Sequence, residues 1–386
     1  MLVKLTNQAL DYAWGSKNLI SDYFGLPATG KPMAEIWFGT HDGSPTEVLG
    51  QELSLQQLLE KSGRVDRLEY LLKILAAEAP LSIQAHPNPE QALVGFANEN
   101  AAGISLSAEN RNYKDDRAKP ELIVALSESF DALVGFADPR LISENLQEVL
   151  EISQAGVLQE KLKSWLNWLS EKDGIRRVFL DSLTASEINA ELIAELVDLA
   201  EQCPNLVDLV SHLNAFHEGD RGIATALLLN RVTLSRGEAC YVPAGMPHAY
   251  LSGLGVEVML ASDNVLRGGL TKKHVDVKEL AEVVVFEATN VELTKSTQLA
   301  KGLKRFEIPT SEFSFYEISL SPQNMLIDIE LPGDGIFLCT AGSVAVSNSQ
   351  AEREVVAAGE AAFIGKDART FSLTGTGFGY MVIGSN

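Results

Sequence analysis

Histidine is scarce in this chain, and one of its histidines ends a patterned stretch. Any imidazole chemistry must come from six positions, which are His41, His86, His212, His217, His248 and His274. The stretch from Gly237 to His248 reads GEACYVPAGMPH and has the form Gly-x5-Pro-x-Gly-x2-His. Glycine and proline at these spacings favour a tight turn between two strands. The pattern therefore predicts a strand–turn–strand unit in which the second strand carries His248 on its inner face.

This pattern resembles the second signature of cupins, small β-barrels of the jelly-roll type that carry metals inside. Cupins place further ligands upstream as His-x-His followed by Glu, and here the matching segment offers Gln84-x-His86. Alternate residues of a strand share a face, so Ser82, Gln84 and His86 point one way. Ile83 and Ala85 point to the opposite face. The resemblance thus predicts Gln84 and His86 as two of the ligands.

A second short run supplies a carboxylate. In Lys119-Pro120-Glu121 the alternation of a strand places Lys119 and Glu121 on one face, and proline marks an edge or a strand start. Two imidazoles, a carboxylate and an amide oxygen suit Zn²⁺ or a similar divalent ion, with room for a water or a substrate oxygen. Taken singly, His248 can also be a hydrogen-bonded core histidine, and Gln84 an ordinary polar strand residue. Together the fold signals predict one metal site formed by Gln84, His86, Glu121 and His248.

Composition and charge exclude several classes of protein. The chain has 386 residues, too many for a single hydrophobic core, so at least two packed units are expected. A formal charge of −21 repels nucleic acids and anionic membranes, and neither is expected as a partner. An anionic small substrate would need its own cluster of Lys and Arg. Three scattered cysteines, and no apolar stretch of about 18 residues, indicate a protein of the reducing cytoplasm.

The N-terminal 140 residues are predicted to form mainly strands, because short alternating runs are punctuated by glycine and proline. Two helices are expected to interrupt them. One covers 53–61, where Ser54 and Gln57 have the spacing of a capping box. The other covers 88–98, directly after Pro87.

The remaining chain changes its period twice. Residues 141–225 have helical spacing, and within them Thr184 and Glu187 have the spacing of a capping box ahead of a further helix. The strand period returns at 226. The expected fold class is mainly β with an α-helical insertion: two cupin-type jelly-roll β domains plus a helical domain. Its parts are a catalytic metal-binding cupin domain (1–140 together with 226–299), a helical insertion domain (141–225) and a C-terminal degenerate cupin domain (300–386).

The C-terminal unit is expected to have a structural role. Residues 359–365 echo the first motif, and counting eleven on from Gly359, as from Gly237 to His248, reaches Thr370. No histidine follows His274. This unit therefore cannot repeat the metal site.

Longer blocks make the resemblance specific. They read PLSIQAHPN (80–88), KPEL (119–122), PAGMPHAYL (243–251) and SDNVLRGGLT (262–271), and the patches YAWG (12–15) and AEIW (34–37) agree with them. In this order, and across the whole chain, they resemble the type I mannose-6-phosphate isomerases. The resemblance implies one Zn²⁺ per chain on the four ligands above and an active-site role for Arg267. Ala118 and Lys272 stand where many members of that family have His and Pro.

The reaction implied by this resemblance interconverts mannose 6-phosphate and fructose 6-phosphate through a cis-enediolate. It needs one group that moves a proton between C2 and C1 and another that stabilises developing oxyanion charge. The metal and Arg267 answer the second need. For the proton, three candidates remain open: Glu257, Lys119 and a water on the metal. Glu257 lies in an alternating run nine positions after His248, and it can otherwise be a solvated strand carboxylate.

The substrate phosphate must meet concentrated positive charge in a chain this acidic. Ser82 shares the face of Gln84, and the resemblance adds Lys73 and Lys273. The expected cluster is Ser82, Lys73, Lys119, Arg267 and Lys273. Tyr250 shares a face with His248, and the ring of Trp14 can stack on a sugar. Each lysine is otherwise a solvated side chain, and both aromatic residues are otherwise packing groups.

Two other functions fit a cupin barrel. A metal-dependent cupin dioxygenase would use Fe²⁺ on a His-rich ligand set, and the cationic cluster would then lack a purpose. A non-catalytic sugar-binding bicupin would not require Arg267 and Lys119 beside the metal ligands. The prediction is a monomeric, zinc-dependent isomerase of a small sugar phosphate, in the carbohydrate metabolism that leads to GDP-mannose.

Overall fold

The computed structural model describes residues 1–385, and its strands pair antiparallel in two sheets. In chain order the strands are β1 (Leu2–Thr6), β2 (Glu35–Phe38), β3 (Glu47–Val48), β4 (Tyr70–Ala77), β5 (Gln84–Ala85), β6 (Glu121–Ala125), β7 (Ser129–Phe136), β8 (Leu229–Ser235), β9 (Ala239–Val242), β10 (His248–Leu260), β11 (Leu266–Arg267), β12 (Ser296–Ala300), β13 (Leu303–Phe306), β14 (Phe313–Leu320), β15 (Leu326–Glu330), β16 (Gly335–Asn348), β17 (Arg353–Ala357), β18 (Ala361–Ile364) and β19 (Thr370–Gly384). With the helices below, the fold is mixed α/β with antiparallel sheets.

The helices are α1 (Leu19–Phe24), α2 (Leu55–Lys61), α3 (Pro89–Ala101), α4 (Pro139–Ile152), α5 (Val157–Leu169), α6 (Gly174–Thr184), α7 (Ala190–Ala200), α8 (Val207–Phe216), α9 (Gly222–Ala226) and α10 (Val277–Val283). The helices expected over 53–61 and 88–98 are confirmed as α2 and α3, and each begins with a capping box, on Ser54 and Asn88. Within residues 1–385, no helix has the length and apolar character needed to span a membrane.

The capping box expected at Thr184 is wrong. Thr184 is the last residue of α6, and its hydroxyl donates to the carbonyl oxygen of Leu180 at 2.7 Å. The next helix, α7, is capped by Asn189, whose side chain accepts from the backbone N–H of Leu192 at 2.9 Å. A threonine inside a helix can bond to the carbonyl four residues back, so it need not cap a later helix.

Strand β10 is the centre of the sheet that carries the predicted site. Over thirteen residues it pairs with β4, β5, β6 and β7. In this register His248 lies opposite Gln84, and Glu257 lies opposite Lys73. Because opposite residues of neighbouring strands share a face, β10 brings together side chains that are far apart in the sequence.

A bulge in β10 decides which of its residues face the site. Strand β7 pairs with Tyr250 and then with Ser252, so one residue of β10 is left over between them. An extra residue shifts the alternation of a strand by one position. His248 and Glu257 are nine positions apart and would point to opposite faces of a regular strand. With the bulge, Tyr250 and Glu257 line the same cavity.

The helices α4 to α9 pack behind β5. Ile83 and Ala85 are buried in the same apolar core as Phe179 and Leu213 of the helices. Ser82 and Gln84, on the other face, line a cavity. The alternation predicted for residues 82–86 therefore separates a helix-packing face from a polar face.

The second sheet joins the two ends of the chain. Strand β1 pairs with β18 and with β3, so residues 2–6 lie in the sheet formed by β12 to β19. Arg64 donates to a carboxylate oxygen of Asp334 at 2.9 Å, and the hydroxyl of Tyr70 donates to the Asp334 carbonyl at 2.9 Å. Apolar residues of β4 and of the C-terminal strands share one core. The first and last parts of the chain are therefore packed as one body.

Candidate metal centre and active site

Three buried side chains converge where β5, β6 and β10 meet. Their ligand atoms all lie within 4.8 Å of one another, and the residues are His86, Glu121 and His248. Nε2 of His86 lies 3.4 Å from Glu121 Oε1, and Nε2 of His248 lies 3.2 Å from Glu121 Oε2. Among the described residues, both Nε2 atoms and Glu121 Oε2 lack a hydrogen-bond partner although they are buried. Buried polar atoms without a partner are costly, and these three atoms fit a cation held between them.

The other nitrogen of each imidazole fixes its tautomer. Nδ1 of His86 donates to the carbonyl oxygen of Asn264 at 2.7 Å, and Nδ1 of His248 donates to that of Met246 at 3.0 Å. A carbonyl oxygen can only accept, so the proton is on Nδ1 and the Nε2 lone pair is free. Burial, and then the charge of Lys119, lower the pKa of His86 to about 4. A neutral imidazole beside a carboxylate fits a metal ion such as zinc.

Asn264 connects His86 to the loop that leads to Glu121. Its side chain is fully buried and accepts from the backbone N–H groups of Lys114 and Asp115 at 2.7 and 3.2 Å. Its amide nitrogen donates to the carbonyl oxygens of Asp115 and Arg117 at 2.9 and 2.8 Å. The loop before Glu121 and the imidazole of His86 are therefore positioned by one residue.

Gln84 is placed between His248 and the predicted catalytic arginine. It pairs with His248 across β5 and β10, and with Arg267 across β5 and β11. The residue is half-buried and lines the same cavity as Glu121. Gln84 is thus the neighbour of His248 across the sheet and faces the cavity.

One cavity of about 700 Å³ collects the other predicted site residues. Its wall includes Trp14, Lys73, Ser82, Gln84, Lys119, Glu121, Tyr250, Glu257, Arg267 and Lys273. Trp14 is half-buried and stacks on Tyr12 at 5.8 Å between ring centroids. Tyr250 is fully buried and packs edge-on against Phe130. Residues from β4, β5, β6, β10 and β11 therefore meet around one space.

Lys119 is paired with the carboxylate of the triad. Its Nζ lies 2.6 Å from Glu121 Oε1, and both side chains are buried. Burial opposes the charge of Glu121, but Lys119 and the two histidines hold the pKa of that carboxyl well below its usual range. Glu121 is therefore ionised and available as a ligand.

Lys73 lies between two carboxylates. Its Nζ is 3.1 Å from Glu257 and 3.5 Å from Glu35, and it sits 4.9 Å from the ring centroid of Trp37. Burial opposes the charge of Lys73, yet Glu257 and Glu35 raise its pKa above the ordinary value. Burial raises the pKa of Glu257, against the effect of Lys73. Lys73 is therefore charged. Glu257 is more easily protonated than an ordinary glutamate.

Arg267 and Lys273 form a cationic pair without acids. Burial lowers the pKa of Arg267, and burial with the charge of Arg267 lowers the pKa of Lys273. No carboxylate among residues 1–385 lies within salt-bridge distance of either side chain, whereas Lys73 and Lys119 both have such partners. Lys272 also lines the cavity without a carboxylate partner among the described residues, so three positive charges are free to meet an anion.

Several cavity residues were not predicted from the sequence. Glu35 accepts from the indole N–H of Trp37 at 2.9 Å, and it belongs to the AEIW patch that marked the family resemblance. Asp263 lies in the SDNVLRGGLT block and pairs with His41 at 3.2 Å. His217 also lines the cavity. Motif membership signalled the first two, and no local pattern signalled His217.

Comparison with known proteins gives one family. A model of the type I phosphomannose isomerase catalytic domain matches residues 2–138. The mannose-6-phosphate isomerases of Salmonella typhimurium and Escherichia coli are each 35% identical to the chain, with 97% of both chains covered. The crystal structure of the S. typhimurium isomerase bound to its substrate fructose 6-phosphate and zinc has a TM-score of 0.88 and 34% identity, covering all of both chains. With its buried triad and cationic cavity, this chain therefore belongs to the type I mannose-6-phosphate isomerase family.

Proposed function

We propose that this protein is a zinc-dependent aldose–ketose isomerase that interconverts mannose 6-phosphate and fructose 6-phosphate. The observation that carries the proposal is the buried triad of His86, Glu121 and His248, of which Glu121 lines a cavity that also contains unpaired cations. The names of the relatives, and the related structure that holds fructose 6-phosphate and zinc, support the choice of substrate and metal.

One Zn²⁺ per chain is assigned to Gln84, His86, Glu121 and His248. The tautomers of both histidines and the ionised carboxyl of Glu121 support this set. The position of Gln84 opposite His248 supports its amide oxygen as the fourth ligand. When bound, the ion supplies a Lewis acid for the substrate oxygens at C1 and C2.

Glu257 is assigned to move the proton between C2 and C1 through the cis-enediolate. A proton shuttle must both accept and release a proton, so its pKa should lie close to the working pH. Burial raises the pKa of Glu257 toward that range. Lys119, the other side chain considered, is held by Glu121 at 2.6 Å, which favours a role in keeping that ligand ionised beside the reacting carbons.

Arg267 is assigned to stabilise the negative charge of the enediolate. Its backbone is held opposite Gln84, next to the proposed metal, and a guanidinium keeps its charge at any working pH. Lys273 and Ser82 are assigned to the phosphate, because both line the cavity and Lys273 has a free charge. Trp14, Tyr250 and Lys73 complete the substrate pocket. The two carboxylates beside Lys73 favour contact with the sugar rather than with the phosphate.

The strand order supports a finer description of the fold. We assign a catalytic cupin-type jelly roll to residues 1–140 together with 226–299, a helical insertion to 141–225, and a second, degenerate cupin to 300–386. Strand β1, from the first unit, completes the sheet of the last one. A monomer in the cytoplasm is the assigned form, and the three buried free thiols support a reducing compartment.

A coupled assay on mannose 6-phosphate tests the function. Activity should disappear when a chelator removes the metal and return when zinc is added. Solvent deuterium should enter the sugar phosphate during turnover, because a proton leaves the substrate and returns. Full activity without metal would contradict the zinc assignment, and oxygen uptake without isomerisation would favour a dioxygenase.

A further inference from the structure

The link between α8 and α9 reaches the cavity from the helical side. Nε2 of His217 donates to the carbonyl oxygen of Pro80 at 2.9 Å, two residues before Ser82. Three residues later, Asp220 contacts the turn that follows Arg267. The short segment 217–221 therefore joins two separate parts of the cavity wall.

Asp220 uses its carboxylate on backbone N–H groups. Oδ1 accepts from Gly222 at 2.7 Å and from Leu270 at 2.8 Å, and Oδ2 accepts from Thr271 at 3.1 Å. Two of these three donors belong to the turn 268–271, fifty residues away in the sequence. Hydrogen bonds to a charged acceptor are stronger than neutral ones, so this carboxylate stabilises the position of the turn.

The anchored turn has an unfavourable backbone. Leu270 has a φ of +54°, a conformation that residues with a side chain rarely adopt. The turn also touches the helical segment backbone to backbone. A Cβ on Gly222 would lie 2.3 Å from the nitrogen of Leu270, and a Cβ on Gly269 would lie 2.4 Å from the Cα of Gly222. Such a conformation persists only where its surroundings hold it, and Asp220 supplies bonds on both sides of the contact.

The free cations of the cavity, Arg267, Lys272 and Lys273, flank the turn. Arg267 precedes it, held by its pairing with Gln84. Lys273 follows it, and its backbone N–H donates to the Thr271 hydroxyl at 3.1 Å. A continuous set of contacts thus runs from Asp220 through Thr271 to Lys273.

We propose that Asp220 is a positioning residue for phosphate binding, acting through the turn 268–271 on Lys273. The inference rests on the proposed function, in which Lys273 binds the substrate phosphate. If Asp220 has this role, the helical region contributes to phosphate binding and is more than a structural support.

Three variants test this role: Asp220→Ala, Asp220→Asn and, as a matched control, Asp138→Ala. Asp138 also accepts a backbone N–H, from Arg140 at 2.8 Å, but it caps α4 away from the cavity. Asp220→Ala should raise the KM for mannose 6-phosphate and the inhibition constant of inorganic phosphate at least ~10-fold, because a displaced contact is costly in a preorganised site. The kcat should change less, and the zinc content should be unchanged. Asp220→Asn keeps the acceptor for Gly222 and Leu270, so it should be intermediate.

Hydrogen exchange gives a readout that does not depend on activity. The amides of Leu270 and Thr271 should exchange faster in Asp220→Ala, while the amides of β10 keep their protection. If Asp220→Ala does not fold, Asp220→Asn carries the same comparison.

Faster exchange with unchanged constants for substrate and phosphate would overturn the inference, as would an equal loss in Asp138→Ala. Lys273→Ala separates this failure from a failure of the proposed function. If Lys273→Ala weakens phosphate inhibition and Asp220→Ala does not, the phosphate assignment stands and the positioning role is wrong. If Lys273→Ala leaves phosphate inhibition intact, the phosphate assignment is wrong and the inference falls with it.

Discussion

The ring nitrogens of His86 and His248 illustrate how backbone carbonyls prepare a metal site. Each Nδ1 donates to a carbonyl, of Asn264 and of Met246, and this leaves each Nε2 lone pair beside Glu121. The rings need not rotate to bind a cation. Metal binding is thereby favoured over the protonated state, in which a buried imidazolium would be costly.

Removal of one of these ligands should remove the metal. His248→Ala and Glu121→Ala each leave an incomplete ligand set and an open position, so both should lose zinc and activity. Thr370→Ala, at the corresponding position of the C-terminal unit, should lose neither. Zinc per chain, measured by elemental analysis after gel filtration, checks this. A fully metallated and active His248→Ala protein would contradict the assignment of His248 as a metal ligand.

Arg267 should affect turnover more than binding. Its charge is available continuously, because no acid among the described residues neutralises it. Arg267→Ala should lower kcat at least ~100-fold, the size typical of losing one oxyanion donor, while the zinc content stays whole. Steady-state kinetics on mannose 6-phosphate measure the effect. A loss seen only as a raised KM would instead make Arg267 a phosphate contact.

At the scale of elements, the loop before β6 is as important as the strands. The side chain of Asn264 forms hydrogen bonds with the backbone of Lys114, Asp115 and Arg117. The backbone carbonyl of Asn264 accepts a hydrogen bond from His86. Two metal ligands from different elements are thus held at a set separation by one buried amide.

Asn264→Ala should therefore weaken zinc binding. Loss of a residue that orients a ligand typically lowers metal affinity about 10- to 100-fold. Asn348→Ala is a matched control, because the buried side chain of Asn348 accepts from the backbone N–H groups of Gln350 and Glu352 in the C-terminal sheet, away from the triad. Competition with a fluorescent chelator measures both affinities. Equal losses in the two variants would show that general destabilisation, and not ligand positioning, is responsible.

At the scale of the whole molecule, a charge of −21 surrounds a small cationic region. Mannose without a phosphate gains nothing from Lys273 and should be a very poor substrate, with turnover depressed as well as affinity. Inorganic phosphate should compete, and more weakly as salt rises, because exposed charges are screened over about 8–10 Å at 0.1–0.15 M ionic strength. Specificity constants for the two sugars at low and high salt check this. Similar values at low salt would reopen the choice of substrate.

The buried thiols should be inert in the native protein. Burial raises the pKa of Cys240 and of Cys339 to about 11, against an ordinary value of 9.0. The free energy of unfolding is therefore unaffected by these thiols below pH 9. It falls as the pH rises from 9 toward 11, because the thiols of the unfolded chain ionise at a lower pH than the buried ones. At pH 8 a disulfide reagent should react slowly with the native protein and quickly with three thiols in guanidinium. Fast reaction of the native protein would contradict this burial.

Local patterns in the sequence determined much of this protein. Strand alternation separated Ser82, Gln84 and His86 from Ile83 and Ala85, and the structure confirms a polar face and a helix-packing face. The capping box at Ser54 began a helix as expected. These features depend on residues within one or two turns of each other, where geometry follows from the covalent chain.

Only the tertiary structure decided which distant groups meet. The bulge between Tyr250 and Ser252 depends on pairing with β7, and without it Glu257 would face away from His248. The carboxylate of Glu35 meets Lys73 because β2 pairs with β4, and Asp220 meets the turn at Leu270 across fifty residues. Such contacts have no local signature, since strand register and backbone crossings are set by packing between elements, and a single extra residue reverses the face that each side chain takes.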